Sequence, residues 1–413
     1  MNARRTVQLG LLAAVTVAGS AACGGSGESA EAGTGSSSPI RVMATGALTP
    51  SSSFGGISFP YGVTGVKAAA EAINAKGGIK GRKIQVDTCD TKGDPNVSAQ
   101  CAREALSNKD IAVLGAFDPL GAPQQLGVLE AAGIPYIGGL PTTPAEYSSP
   151  VSFQFDPGPV LASTAIAKLW VDSGCTTVVA ILPANPGNDQ LAAQQKQQAQ
   201  ALGLKITTQL VQPGIADVTP SLTTALATKP DCFTYGGDGQ TSVKYILAAR
   251  KLGYTGKFLT SSGSLLPQFL APLGAAGDGI IVLNSALQPT SDDPMVKQFA
   301  QELSDHLKGN PGEIAKNSNE FAQVGWSSVQ LLKQAIEGGS DASAKGLLAH
   351  IPTMCDVNVG NVYPHVNFCK TVATSKSLTR VYNNQWQYFV AKDGKYVPTD
   401  NTWHDLTSTF PRS

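Results

Sequence analysis

The chain's four histidines, His306, His350, His365 and His404, lie far apart. None has the H-E-x-x-H spacing that puts two metal-ligating imidazoles on one helix face. No G-x-x-x-x-G-K-[ST] loop is present to cradle a phosphate, and no G-x-S-x-G leads from a strand into a helix as a nucleophile elbow. The cysteines have no C-x-x-C spacing for zinc or redox chemistry. The groups that could do chemistry are hydroxyls, amides, carboxylates and rings gathered in loops. They are Phe54 and Tyr61 with Ser51 to Ser53, and Phe117, Asp118, Pro119 and Leu120 after Gly115. Thr142 and Thr143 follow Leu140, Asn185 and Asn188 flank a Pro-Gly pair, Asp238 and Gln240 stand among glycines, and Ser262 follows Ser261. With the catalytic motifs missing, such groups read as binding a small molecule rather than transforming it. The expectation is a ligand site with no metal, no cofactor and no enzyme activity.

Each of these loops falls where a predicted strand hands over to a predicted helix. In open α/β sheets that is where ligands sit, beyond the carboxyl ends of strands. The element boundaries are legible. Val63, Val66, Ala70 and Ile73 recur at helical spacing, Gly77-Gly78 ends that helix, and Ile84 and Val86 then alternate with Lys83 and Gln85 as on a strand. Strand and helix alternate in this way from Pro39, the sign of a mainly parallel, doubly wound sheet. The first set of strands is expected at Arg41–Thr45, Ile84 onward, Ile111–Leu114 and Pro135–Ile137. A second set is expected at Thr176–Leu182, Lys205–Val211, Asp231–Gly236, Lys257–Thr260 and Gly279–Asn284. Helical periodicity from Pro294 to His350 should fold back on the first set, and Asn367 to the C-terminus should form strands returning to the second. At 413 residues two lobes are expected, α/β and doubly wound (Rossmann-like). Lobe 1 would take 39–156 with 287–350, and lobe 2 would take 157–286 with 351–413.

Lys plus Arg and Asp plus Glu both number 30, so no basic face is offered to nucleic acid and no polybasic run to anionic lipid. Residues 1–22 read as a signal peptide: Arg4-Arg5, an apolar run from Val7 to Ala18, then small residues. The Ser20-Ala21-Ala22-Cys23 junction resembles a bacterial lipobox, so lipidation is expected at Cys23, with residues 23–38 as a flexible tether of Gly, Ser, Ala and Glu. The remaining cysteines are even in number, as suits an exported chain. Cys89 and Cys101 flank one short loop, and Cys355 and Cys369 another. Cys175 and Cys232 each precede a strand. In the order 2-1-3-4-5 those strands are neighbours about 4.8 Å apart, which brings the two cysteines within bonding reach. The expected disulfides are Cys89–Cys101, Cys175–Cys232 and Cys355–Cys369.

The run from Ile73 through Asn74, Lys76 and Gly77-Gly78 to Gly81, followed by Arg82-Lys83-Ile84 and the strand end Cys89-Asp90, resembles the type I periplasmic binding proteins. The nearest likeness is to the branched-chain amino-acid-binding components of ABC importers, and the order of elements agrees from about 39 to 390. The resemblance implies lobes joined by three crossovers, a ligand held between them, and hinge closure. By position, Thr142 matches the family threonine that holds a ligand carboxylate. The other family positions differ: its serine is Pro119, its tyrosines fall near Gly187 and Gly239, and its ammonium-pairing glutamate falls on Ser262. A buried ammonium needs an anionic partner, so Asp238 or Asp118 would have to supply it, or the ligand is not a zwitterionic amino acid. The implied role is an extracytoplasmic monomer, lipid-anchored to the bacterial cell membrane. It would capture a small polar ligand, an amino acid or related compound, for the permease subunits of an ABC importer. The alternative is a sensor of the same fold signalling to a membrane receptor.

Overall fold

The computed structural model describes residues 38–407 apart from 55, 185, 361 and 373–377, so Cys23, the signal segment, most of the tether and Asn185 lie outside the described residues. The first lobe is laid down as β1 (Ile40–Gly46), α1 (Tyr61–Ala75), β2 (Ile84–Asp90), α2 (Pro95–Asn108), β3 (Val113–Phe117), α3 (Ala122–Ala132), β4 (Tyr136–Ile137) and β5 (Ser152–Phe153). Its sheet has the order β2-β1-β3-β4-β5 and is parallel throughout. Val63, Val66, Ala70 and Ile73 are buried along α1 as their spacing required. Gly77 and Gly78 both take positive φ, and the Gly78 amide donates to the Ile73 carbonyl at 2.9 Å, closing the last turn.

The second lobe follows as α4 (Gly158–Asp172), β6 (Thr177–Pro183), α5 (Pro186–Ala201), β7 (Lys205–Val211), α6 (Thr219–Leu226), β8 (Cys232–Tyr235), α7 (Gly239–Lys251), β9 (Lys257–Ser261) and β10 (Ile281–Asn284). Short 3-10 turns, which no periodicity announced, fill much of Ser262 to Gly277. The chain then adds α8 (Pro294–His306), α9 (Pro311–Asn317), α10 (Glu320–Glu337) and α11 (Ala344–His350), before β11 (Gln385–Lys392), β12 (Lys395–Pro398) and β13 (His404–Asp405). The second sheet has the order β12-β11-β10-β9-β8-β6-β7, with β13 paired to β11. Its parallel part again follows 2-1-3-4-5, and β11 joins β10 antiparallel. Val178 on β6 pairs with Cys232 on β8, and the disulfide Cys175–Cys232 forms there with its Cα atoms 5.8 Å apart. Cys89–Cys101 and Cys355–Cys369 are also bonded.

From α8 and α10, Phe299, Val329 and Leu332 join the core built on α1 and β1. α10 lies so close to α1 that a Cβ on Gly65 would stand 1.9 Å from the Ala322 carbonyl oxygen. Two expectations need correction. Residues 351–368 were assigned to the second lobe, yet Val357, Val362, Tyr363 and Val366 are buried in the first-lobe core. A Val357–Val366 bridge and the Cys355–Cys369 bond fold this segment into a small closed loop, which carries no helix or strand signal beyond its alternating valines. Nor do strands begin at Asn367. Val381 to Asn384 form a buried crossover, and among the described residues after Asn367 strand structure starts at Gln385. Among the described residues no helix is long and apolar enough to cross a membrane.

Candidate ligand-binding cleft

All three crossovers meet at one place. Asp156 lies on the first, between β5 and α4, Ser285 on the second, just after β10, and Asn383 on the third. The Ser285 hydroxyl donates to Asp156 Oδ2 at 2.7 Å, and Asn383 Nδ2 donates to the Phe155 carbonyl at 3.0 Å. Above them opens a cavity of about 340 Å³, lined from both lobes at the carboxyl ends of their strands. The first lobe contributes an aromatic wall. Phe117 stands edge-on to Phe59 at 4.9 Å and to Phe321 at 5.0 Å, with Tyr61 6.0 Å from Phe321. The second lobe contributes Leu266, Phe269 and Trp386. The indole N–H of Trp386 donates to Asn384 Oδ1 at 2.9 Å, so the ring faces the cavity with its polar atom satisfied.

The polar end of the cavity is acidic. Glu320, in the first turn of α10, is 9 % exposed. Its Oε2 accepts a hydrogen bond from the Ser262 hydroxyl, and Oε1 is left open to the cavity. Burial pushes its carboxyl up to about 8, Asp156 nearby adds to the rise, and the Ser262 bond only partly offsets it. Asp156 is likewise pushed up to about 6 by burial, despite its bonds from Ser285 and, at 2.6 Å, from the Gly158 amide. The two acids are linked through adjacent residues, since the Ser262 hydroxyl also lies 2.9 Å from Asn284 Oδ1 and Ser285 follows. No lysine, arginine or histidine lines the cavity among the described residues.

Of the residues expected from sequence, Tyr61, Phe117, Asp238, Gln240 and Ser262 line this cavity. Thr142 and Thr143 do not. Their amides donate to Glu146 Oε2 at 2.8 and 2.9 Å, so an internal carboxylate already occupies the place expected for a ligand's. Burial pushes Glu146 up to about 7, against these bonds. Phe54 is a second layer behind Phe59, 5.5 Å from it. Asp118 is buried, raised by desolvation, and accepts from the Gly121 amide at the start of α3. Pro119 and Leu120 lie on the adjoining turn, Leu120 being 44 % exposed, and Asn188 donates to the Pro183 carbonyl at 2.7 Å. Asp238 accepts from the Thr241 amide at 2.9 Å as the cap of α7, so it is a wall of the cavity with a structural bond of its own. Asp156 and Glu320 were missed. Their only advance signals are an Asp-Pro-Gly break after a strand and an acid at the head of an otherwise apolar helix.

The sequence profile described as periplasmic binding protein matches residues 43–369. No curated protein matches the sequence. Among solved structures, a leucine-binding protein from Thermotoga maritima is 16 % identical with a TM-score of 0.68, covering 87 % of this chain and 98 % of its own. A fatty acid ABC transporter substrate-binding protein from Thermomonospora curvata is 16 % identical with a TM-score of 0.73, covering 90 % and 94 %. A solute-binding protein of an ABC transporter from R. palustris, solved with benzoate, is 17 % identical with a TM-score of 0.67, covering 87 % and 95 %. At these identities the structures establish a shared fold, and the profile extends over most of the chain. The protein therefore belongs to the periplasmic binding protein family, with the type I fold of its branched-chain amino-acid-binding members.

Proposed function

We propose that this protein is an extracytoplasmic solute-binding lipoprotein that closes its lobes on a small molecule and presents it to the permease subunits of an ABC importer. In this reading 39–156 with 287–368 form one lobe, and 157–286 with the C-terminal strands form the other. The observation that carries the reading is a cavity lined from both sheets directly above the three joined crossovers. A hinge placed there lets both walls converge on a ligand. The family is a solute-binding, non-enzymatic one whose members work outside the cytoplasm, which supports capture rather than catalysis. The relatives named for leucine, fatty acid and benzoate share with this cavity the need to house an apolar body.

A thermal-shift screen over amino acids, amides, sugars, aromatic acids and amines would find the ligand, since binding to the folded state raises stability by mass action. The hit should weaken in both Phe321→Ala, on the first lobe, and Trp386→Ala, on the second. A hit indifferent to both would refute the cleft. The anchor has its own test: Cys23→Ser should move the exported protein from membranes to the soluble fraction, and unchanged retention would refute lipidation.

A further inference from the structure

The cavity joins an extended aromatic wall to a floor holding two buried carboxylates, and it offers an anionic ligand very little. No cationic side chain lines it among the described residues. Three of the helix N-termini that open onto it are capped from within, Gly158 of α4 by Asp156, Thr241 of α7 by Asp238, and Ala322 of α10 by the Asn319 side chain at 3.1 Å, while α1, which starts at Tyr61, has no side-chain cap. The amides of Thr142 and Thr143 are taken by Glu146. Against this, Glu320 is about nine-tenths buried, lines the cavity, and has its printed side-chain bond on Oε2 alone, which leaves Oε1 open to the cavity. A carboxylate oxygen open to a cavity with little water in it favours a ligand that brings a donor. A ligand carboxylate set beside it would have to keep Glu320 protonated and would stand as a like charge to Asp156, which is unfavourable out of water.

We propose that the cleft selects an organic cation, a protonated amine on an aromatic or other apolar body, with Glu320 and Asp156 as its counter-charges and the rings of Phe59, Phe117 and Phe321 around it. This rests on the solute-binding reading above and names the ligand class for that site. The amine donates to Glu320 Oε1, and the ring faces attract the positive charge. In the empty cleft Glu320 holds its proton near neutrality. Pairing with a cation therefore releases that proton to solvent, and affinity climbs with pH until the carboxyl ionises unaided. The titratable groups facing Glu320 are Asp156, Tyr363 and Tyr396, and those facing Asp156 are Glu320, Tyr147 and Tyr363. Burial holds these tyrosines neutral, so of the groups named the two acids respond in this range; Glu146, up at about 7 beside Tyr147, titrates there too but does not line the cavity.

The test is calorimetric titration with three shape-matched probes, phenethylamine, phenethyl alcohol and phenylpropionate, between pH of about 6 and about 8. The amine should bind at least about tenfold more tightly than the alcohol, the size of a charge-assisted hydrogen bond, and the carboxylate more weakly than either. Amine affinity should rise across that range, while the alcohol's stays flat. In Glu320→Gln the amine's affinity should fall much further than the alcohol's, so that the preference for amine over alcohol collapses. Asp156→Asn should reduce it in the same direction, and serves as the second variant if the first folds poorly. Tighter binding of phenylpropionate than of the amine overturns the cation class and leaves solute capture standing. No binding by any of the three also overturns the cation class, and solute capture is then decided by the wider screen and its two wall variants. An amine preference untouched by both substitutions overturns the assignment of Glu320 and Asp156.

Discussion

Replacing Glu320 by Gln should stabilise the empty protein, and increasingly so as pH rises. The folded state holds the Glu320 carboxyl up at about 8 against an ordinary 4.5. An acid whose folded value is raised binds its proton more tightly in the native state, so its contribution is complete below the unfolded value. That contribution is then lost as pH climbs from 4.5 toward about 8. The difference of about 3.5 at roughly 1.4 kcal/mol per pH unit bounds the loss at on the order of 5 kcal/mol, most of it falling between pH of about 5 and about 8. Gln keeps the side chain's shape, can still bond Ser262, and does not titrate. Urea unfolding of both proteins with disulfides intact, at a series of pH values, measures the difference. The wild type should fall relative to Glu320→Gln by close to one proton's worth of slope. Parallel pH profiles would refute the placement of a buried, unpaired acid in the cleft.

Removing the second-lobe disulfide with Cys175→Ala and Cys232→Ala together releases a loop with a sequence separation of 57 and should cost up to about 4 kcal/mol in denaturant unfolding. Peptide mapping without reductant should find these two cysteines joined to each other, and any other pairing would break the strand order assigned to that lobe. Gly65→Ala should cost about 1–3 kcal/mol, because its Cβ would meet the Ala322 carbonyl oxygen and push α1 off α10. Gly127→Ala, on α3 with open space around it, is the matched control and should be near neutral or stabilising.

The elements with a strong period were legible before any coordinates. α1 announced its buried stripe and its glycine stop, and the paired strands that fix Cys175–Cys232 followed from the alternation of β and α. The loop from Cys355 to Phe368 was misassigned because it buries valines without a regular element, so nothing in its pattern says which lobe it joins. Thr142 illustrates a local competitor overlooked. Thr143 and Glu146 have the three-residue spacing at which an acid reaches back to a loop's own amides, and that bond forms within the loop. Glu320 was hidden for the opposite reason. An acid in the first turn of a helix ordinarily faces water beside the positive end of the dipole. Only the approach of Ser262 from the second lobe turns this one into a cleft residue, and that contact joins residues 58 positions apart in the chain.

The central claim, capture between closing lobes, is tested most directly by small-angle X-ray scattering with and without a saturating ligand from the screen. Closure about the Asp156–Ser285 and Asn383–Phe155 junction predicts a smaller radius of gyration in the bound state. Saturation by a ligand with the scattering profile unchanged would contradict it.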